Sequence, residues 1–403
     1  MIDKAIFHIG CPKTGTSIIQ SHLAQNRKVL RDKGVLYPIT ISSDKNLYKT
    51  FESHHLLAYS WANWSTFNRF NTDWFFERVN QTGIKYSLHT LLLSAENTYW
   101  LPTQVVAREK PDREKFWKEK NDYVQRIFND FKGYDTKIII YLRRQDRWIE
   151  SWYNQQIKNG NNLPSDMMEV VEHHDYLLDY EKLLEVWANS FGKENIIVRV
   201  YEKEQLENGL LQDFLNVTNL GNADEYPVVK KPRFNAQLSR DAVEFLNVCN
   251  ALSLSEEDNR WLKILVRKIT NQFDQNIVFK NQSFLSPTQR VDVLNYYKEM
   301  NQRIAEKYLE RDDKKLFYEL WPNDAELWVP YSGLSPEFNL KVLVPMMIEL
   351  RKELLTDFTK KNKVASKYKC NIALIDKVLE PIKNRYRRNT DEKYWNKYLW
   401  DYH

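Results

Sequence analysis

Apolar residues along the chain follow two kinds of spacing. Ile6-Phe7-His8-Ile9, Leu91-Leu92-Leu93, Ile138-Ile139-Ile140-Tyr141-Leu142 and Ile196-Ile197-Val198-Arg199-Val200 form short, nearly unbroken runs. Runs of that length predict strands buried on both faces. Between them, Ile18, Ile19 and Leu23 repeat at helical spacing, and 147–158 and 180–191 read as further helices. Strands alternating with helices predict an α/β fold, with a mostly parallel sheet covered on both sides. Gly34-Val35-Leu36-Tyr37-Pro38 adds a short strand that its proline stops.

Two regions depart from this rhythm. From Thr40 to Tyr86 the pattern is irregular and dense in rings: Trp61, Trp64, Phe67, Phe70, Trp74, Phe75 and Phe76. Most of these are expected in a helical layer packed on the core. Others suit a sugar-facing wall, since flat rings stack on the apolar faces of pyranoses. Beyond Lys203 the strand signals fade, and 210–217, 240–251, 256–269 and 287–308 all read as helical. The segment from Ser335 to His403 is also helical in pattern and locally basic, with Lys360, Lys361, Lys363, Lys367, Lys369, Arg385, Arg387 and Arg388. Such a run is usually a solvated face, and it also suits peripheral contact with anionic headgroups or glycans.

Candidate chemistry starts at the end of the first strand. Gly10-Cys11-Pro12-Lys13-Thr14-Gly15-Thr16-Ser17 reads as a small-residue turn opening a helix at Thr16 or Ser17. The first N–H groups of a helix lack partners within it, and its dipole favours negative charge there. Lys13 adds a cation at the rim. The loop is not a Walker A loop, because its lysine precedes the glycine instead of following it.

Pro12-Lys13-Thr14-Gly15-Thr16-Ser17 resembles the 5′-phosphosulfate loop of sulfotransferases that use 3′-phosphoadenosine-5′-phosphosulfate (PAPS). Leu142-Arg143-Arg144-Gln145-Asp146-Arg147-Trp148-Ile149-Glu150-Ser151 is similar to the 3′-phosphate site of that family, where an arginine leaves a strand and a serine follows on the next helix. The usual Arg-Asn-Pro start is replaced here by Arg143-Arg144-Gln145, in the manner of bacterial carbohydrate-type members. That leaves open whether Arg144 shares the phosphate. Tyr201 at a strand end matches the family's adenine-contacting tyrosine. Lys230-Lys231-Pro232-Arg233-Phe234-Asn235 resembles its nucleotide-covering basic segment, with Arg233 and Asn235 the candidates. The resemblance extends to about Ser335. It implies a P-loop-like parallel sheet flanked by helices, with a sulfotransferase domain over 1–335, a PAPS-binding core to about 235, and a helix-rich basic C-terminal extension over 336–403.

The implied activity is transfer of a sulfuryl group from PAPS to a hydroxyl or amine of a carbohydrate, such as a capsular or other cell-surface glycan. Adenosine 3′,5′-bisphosphate is the implied product, and no metal is implied. In this reading Lys13 stabilises the leaving oxygen. Backbone amides of Thr14, Gly15, Thr16 and Ser17 hold the 5′-phosphate, and Arg143 with Ser151 holds the 3′-phosphate. The acceptor needs a general base, for which His54, His55 and Glu96 are candidates. Histidine serves near neutrality without tuning, so the sequence favours His55 or His54; Glu96 would require desolvation.

Composition narrows the alternatives only modestly. With 59 basic and 54 acidic residues the net charge is +5, which suits an anionic ligand but is too small to imply nucleic acid. Three widely separated cysteines give neither a disulfide framework nor metal spacing and point to a reducing compartment. Without a leader pattern or an apolar run near the roughly 18 residues of a bilayer span, a soluble, cytoplasmic protein is expected. A catalytically silent nucleotide- or glycan-binding protein is the alternative from another class. A P-loop kinase is disfavoured by the lysine position.

Overall fold

The computed structural model describes residues 2–44, 47–64, 70–102, 112–227, 238, 240–251, 283–323 and 328–331. Its first compact unit draws on 1–155, 163–235 and 283–328; the described residues of the second are 156–162, 238, 240–251 and 329–331. Arg233, Asn235, the helical pattern over 256–269 and the basic extension 336–403 lie outside the described residues.

The first unit is built on strands β1 (Lys4–His8), β2 (Val35–Leu36), β5 (Thr90–Ser94), β6 (Asp135–Leu142) and β7 (Ile196–Val200), with a separate hairpin of β3 (Thr40–Asp44) and β4 (Leu47–Phe51). The five-stranded sheet runs β2-β5-β1-β6-β7, and every neighbouring pair is parallel. The apolar runs form its centre because both faces are covered. On one face, Phe7 stacks on Phe131 at 5.6 Å and meets Trp61 and Trp187 edge-on at 5.8 and 6.1 Å. These rings come from helices α3 (His55–Trp61), α5 (Arg113–Phe131) and α8 (Tyr180–Phe191). On the other face, Ile19 and Leu23 of α1 (Thr16–Gln25) and Phe214 and Leu215 of α9 (Gly209–Val217) enclose Leu92, Ile139 and Tyr141.

The irregular stretch from Thr40 to Tyr86 resolves into the hairpin, α3 and α4 (Thr72–Tyr86). The hairpin pairs Thr40 with Phe51 and Asp44 with Leu47; Ser42 and Ser43 break any apolar alternation, so it left no readable period. The helical span predicted over 287–308 is two helices, Pro287–Tyr296 and Lys298–Leu309, divided at Tyr297. The first opens on a reciprocal cap, in which Gln289 N–H donates to Ser286 Oγ at 3.2 Å and Ser286 N–H to Gln289 Oε1 at 2.9 Å.

Buried carboxylates fasten this later chain to the sheet's carboxyl edge. On helix α6 (Gln145–Asn159), Asp146 is fully enclosed between the guanidinium groups of Arg144 (2.8 Å) and Arg290 (3.0 Å). Arg144 also donates to the Glu319 and Leu320 carbonyls, each at 3.0 Å. Glu150 accepts from Leu285 N–H at 2.8 Å and from the Ser283 hydroxyl. Glu202 accepts from Tyr318 N–H at 2.8 Å. In the second unit, Asn250 Nδ2 donates to the Ile157 and Asn161 carbonyls, each at 2.9 Å, on helix α10 (Arg240–Asn250). Among the described residues, no helix is long and apolar enough to cross a membrane.

Phe7 sits at the centre of the aromatic layer with no exposed surface. Phe7→Ala is expected to lower unfolding stability by about 3–5 kcal/mol, read as a reduced urea midpoint with an unchanged far-UV circular dichroism spectrum.

Candidate active site

The strand order reverses direction beside β1. From β1 the chain moves to β2 and β5 on one side, then to β6 and β7 on the other. Ligands of open α/β sheets gather outside the carboxyl ends of strands at such a point. The loops leaving β1 and β6 meet there: Arg143 Nη1 donates to the Lys13 carbonyl at 2.9 Å.

The turn after β1 is held from several sides. Lys13 and Gly15 have left-handed backbones, with φ of 70° and 76°. A Cβ at Gly15 would stand 2.4 Å from Leu210 Cδ2 and 3.5 Å from the Tyr201 ring, and with its left-handed φ the position favours glycine. Gly10 is similarly constrained: a Cβ there would lie 2.8 Å from that of Glu96. Thr14 turns inward and donates to the Cys11 carbonyl at 2.6 Å. Trp148 Nε1 donates to the Pro12 carbonyl at 2.8 Å. The helix opens at Thr16 with Gly15 as its N-cap and no side-chain cap, leaving the first amides facing the turn.

Lys13 Nζ donates to Gln155 Oε1 at 3.3 Å. Burial pulls the lysine pKa down, Glu96 pulls it back up, and Arg143 lowers it again. Tyr201 adjoins Gly15, and the Arg143 guanidinium lies 5.8 Å from its ring centre. Ser151 is half-buried on α6, three residues after Trp148 and four before Gln155. That spacing puts it on the helix face that already meets the loop. Ser17 is exposed at the helix start.

Arg144 is consumed by Asp146 and the two carbonyls, so its guanidinium belongs to the scaffold and not to the phosphate position that the sequence left open. Arg147 is ion-paired with Glu319 at 2.7 Å.

The three candidate bases differ sharply in surroundings. His54 is buried; its Nδ1 accepts from Ser94 N–H at 3.0 Å and its Nε2 contacts the Pro38 carbonyl at 3.1 Å. Burial lowers its pKa to about 3. Both ring nitrogens therefore join strand ends instead of facing a substrate. His55 is half-buried, like Glu96, and hydrogen-bonds Asn97; burial lowers its pKa to about 4. Glu96 begins the short turn after β5, keeps a partly exposed surface, and accepts from the Thr16 hydroxyl. Burial raises its pKa from 4.5 to about 7, against the opposing pull of Lys13. Desolvation thus weakens both imidazoles as bases and strengthens the carboxylate, opposite to the order of their intrinsic basicities.

Lys120 was not singled out from the sequence. It is fully buried on α5, where its Nζ donates to the carbonyls of Thr98, Tyr99 (2.9 Å) and Leu101 (2.7 Å) and so fixes the turn that carries Glu96. Its signal is a lysine on the apolar stripe of Phe116, Tyr123, Val124 and Ile127. Gln155 carried no such signal, since a glutamine on a helix surface is ordinary. Among the described residues, no group of three His, Cys, Asp or Glu side chains is arranged to hold a metal ion.

Between about pH 4.5 and 7 the folded chain holds the Glu96 proton more tightly than the unfolded chain. This group therefore subtracts stability as pH rises through that window. Glu96→Gln removes the effect. The melting temperature of the variant minus that of wild type should widen from pH 4.5 to 7 and level off above; a constant difference would contradict the assignment.

No family model matches the chain. Among curated proteins it is similar to an uncharacterized protein of Archaeoglobus fulgidus, 26% identical over 237 residues. The match takes in 58% of this chain and spans only 60% of that relative's length. Among solved structures it is similar to a sulfotransferase from Alicyclobacillus acidocaldarius, at 12% identity and a TM-score of 0.35, covering 77% of this chain and 98% of the other. A likeness that distant carries none of the functional argument, which rests on the geometry of the loop.

Proposed function

We propose that the chain is a sulfotransferase that takes PAPS as donor and a carbohydrate hydroxyl or amine as acceptor. The observation that carries this reading is the convergence of Lys13, Gly15, Arg143 and Tyr201 at the point where the strand order reverses. The residues fit a doubly anionic nucleotide. The left-handed turn and the uncapped start of α1 suit one phosphate-like group, Arg143 with Ser151 suits a second, and Tyr201 offers a ring to a base. PAPS, when bound, supplies an activated sulfuryl group.

The remaining roles belong to the chain. Lys13 brings a cation to the loop, and its hydrogen bond to Gln155 keeps the ammonium at the rim. Amides of Thr16 and Ser17 orient an anion through the helix dipole. Glu96 is the base: its carboxylate is oriented by the Thr16 hydroxyl, and a pKa of about 7 matches proton removal near neutrality. Asn97, next to Glu96 in the chain, and His55, which hydrogen-bonds Asn97, are candidates for orienting the acceptor. Capsular or other cell-surface glycans are the acceptor class suggested by the sequence resemblance.

One observation favours a second reading. A helix-start hydroxyl on a neighbouring strand-end carboxylate, as in Thr16 and Glu96, is also how P-loop kinases prepare a magnesium site. The lysine before the glycine argues against it.

Three measurements test the assignment. Adenosine 3′,5′-bisphosphate should raise the melting temperature; a response to ATP with magnesium alone would favour the kinase. Lys13→Ala should lower kcat for sulfuryl transfer by about 10²–10³ while the protein stays folded, and near-normal turnover would sink the role. Activity should also rise with pH through about 7, and Glu96→Gln should abolish that limb together with most turnover. Bisphosphate binding with no turnover on any glycan would identify a silent binding protein.

A further inference from the structure

A separate cleft of about 430 Å³ opens at the sheet edge beyond β2, away from the loop after β1. One wall is α4, which contributes Trp74, Arg78 and Tyr86; Trp74 and Arg78 are four apart and stand on one face, and Tyr86 lines the cleft from two turns further on. The opposite wall carries Arg27 and Arg31, again four apart, on helix α2 (Arg27–Asp32), with Tyr37 at the base. The volume suits a small ligand or a short piece of a polymer.

The side chains are arranged in cation–ring pairs. Arg78 lies 5.5 Å from the Trp74 ring centre, Arg31 5.1 Å from that of Tyr86, and Arg27 5.3 Å from that of Tyr37. Trp74 remains 54% exposed and Tyr86 44% exposed, so neither ring is explained by the core. Among the described residues no Asp or Glu lines the cleft, although Glu52 lies close enough to favour the charge of Arg27. Among the described residues, Arg27, Arg31 and Arg78 make no ion pair, and Arg27 Nη2 is buried without a hydrogen-bond partner.

We infer that this cleft binds an anionic saccharide. Exposed flat rings accept the C–H faces of pyranoses, and the exposed guanidinium groups of Arg31 and Arg78 beside them can donate to carboxylates or sulfates, while Arg27, held by the Tyr37 and Ala24 carbonyls, adds its charge from the base. A neutral sugar would leave the cations uncompensated, and a simple anion would leave the rings unused. A single-stranded nucleic acid shares the charge and the stacking, but it needs an open groove that follows its backbone. This is a concave pocket. The two sites lie at opposite ends of α1, a ten-residue helix about 15 Å long. The saccharide site does not depend on which nucleotide the loop takes.

Calorimetric titration of the full chain tests this with a heparin-derived tetrasaccharide, tetragalacturonate, cellotetraose, a twelve-nucleotide oligothymidylate and phosphatidylglycerol vesicles. Either acidic tetrasaccharide should bind, and the pair distinguishes a sulfate from a carboxylate preference; cellotetraose should not bind. Trp74→Ala should weaken binding about tenfold, and Arg31→Glu with Arg78→Glu should abolish it. These residues are exposed, so the variants should keep the wild-type melting temperature, measured in parallel. Equal affinity for cellotetraose, tighter binding of the oligonucleotide or vesicles, failure of both acidic tetrasaccharides, or unchanged binding by the variants would each overturn the proposal.

Discussion

The site depends on a turn that a polypeptide does not adopt readily. Gly10, Lys13 and Gly15 all have positive φ, and for a lysine that conformation costs on the order of 1–2 kcal/mol. The surrounding contacts offset this. Trp148 takes the Pro12 carbonyl, Arg143 takes that of Lys13, and Thr14 folds its hydroxyl onto Cys11. With its carbonyls turned toward these donors, the loop is left with the uncapped amides of α1 on its open side. The open side of the turn is set by where the carbonyls are held.

Electrostatics around the turn work through desolvation before charge pairing. Burial lowers Lys13 and raises Glu96, and each moderates the other. The same burial leaves His8 and His54, with pKa values of about 3, neutral and fit to join strand ends. His8 Nδ1 meets Ser94 Oγ at 3.0 Å, and Gln20 donates to that same oxygen at 3.1 Å. His8 and His54 are therefore tied into the sheet, and Glu96 is the group whose basicity burial raises. Lys120 completes the arrangement from behind, gathering the carbonyls that follow Glu96 so that the turn keeps its position.

The later chain reaches the sheet through carboxylates that accept backbone N–H groups, as Glu150 and Glu202 do, or sit between guanidinium groups, as Asp146 does. Losing one partner of such a buried set strands the other, which makes them strong determinants of position. Arg143 and Arg144 illustrate the division. Two adjacent arginines leave the same strand; one is fixed inward to Asp146 and the 319–320 carbonyls, and the other turns to the loop.

Unbroken apolar runs and the helices between them made the parallel sheet legible from sequence, because burial on both faces leaves a signal that needs no partner information. The turn around Lys13 and Gly15 was legible for the same reason: a helix start and a glycine carry local chemistry. The hairpin of 40–51 was not, since serines break its alternation, nor was the break at Tyr297. What the sequence determined by itself was which segments form the parallel sheet and its intervening helices, and that a tight, glycine-containing turn joins β1 to α1. The tertiary structure decided which ionisable groups keep their ordinary basicity, which of two adjacent arginines is free to turn toward the loop, and which lysine supports the turn from within. Those outcomes depend on desolvation and hydrogen-bond partners from segments distant in the chain, and local spacing does not encode them.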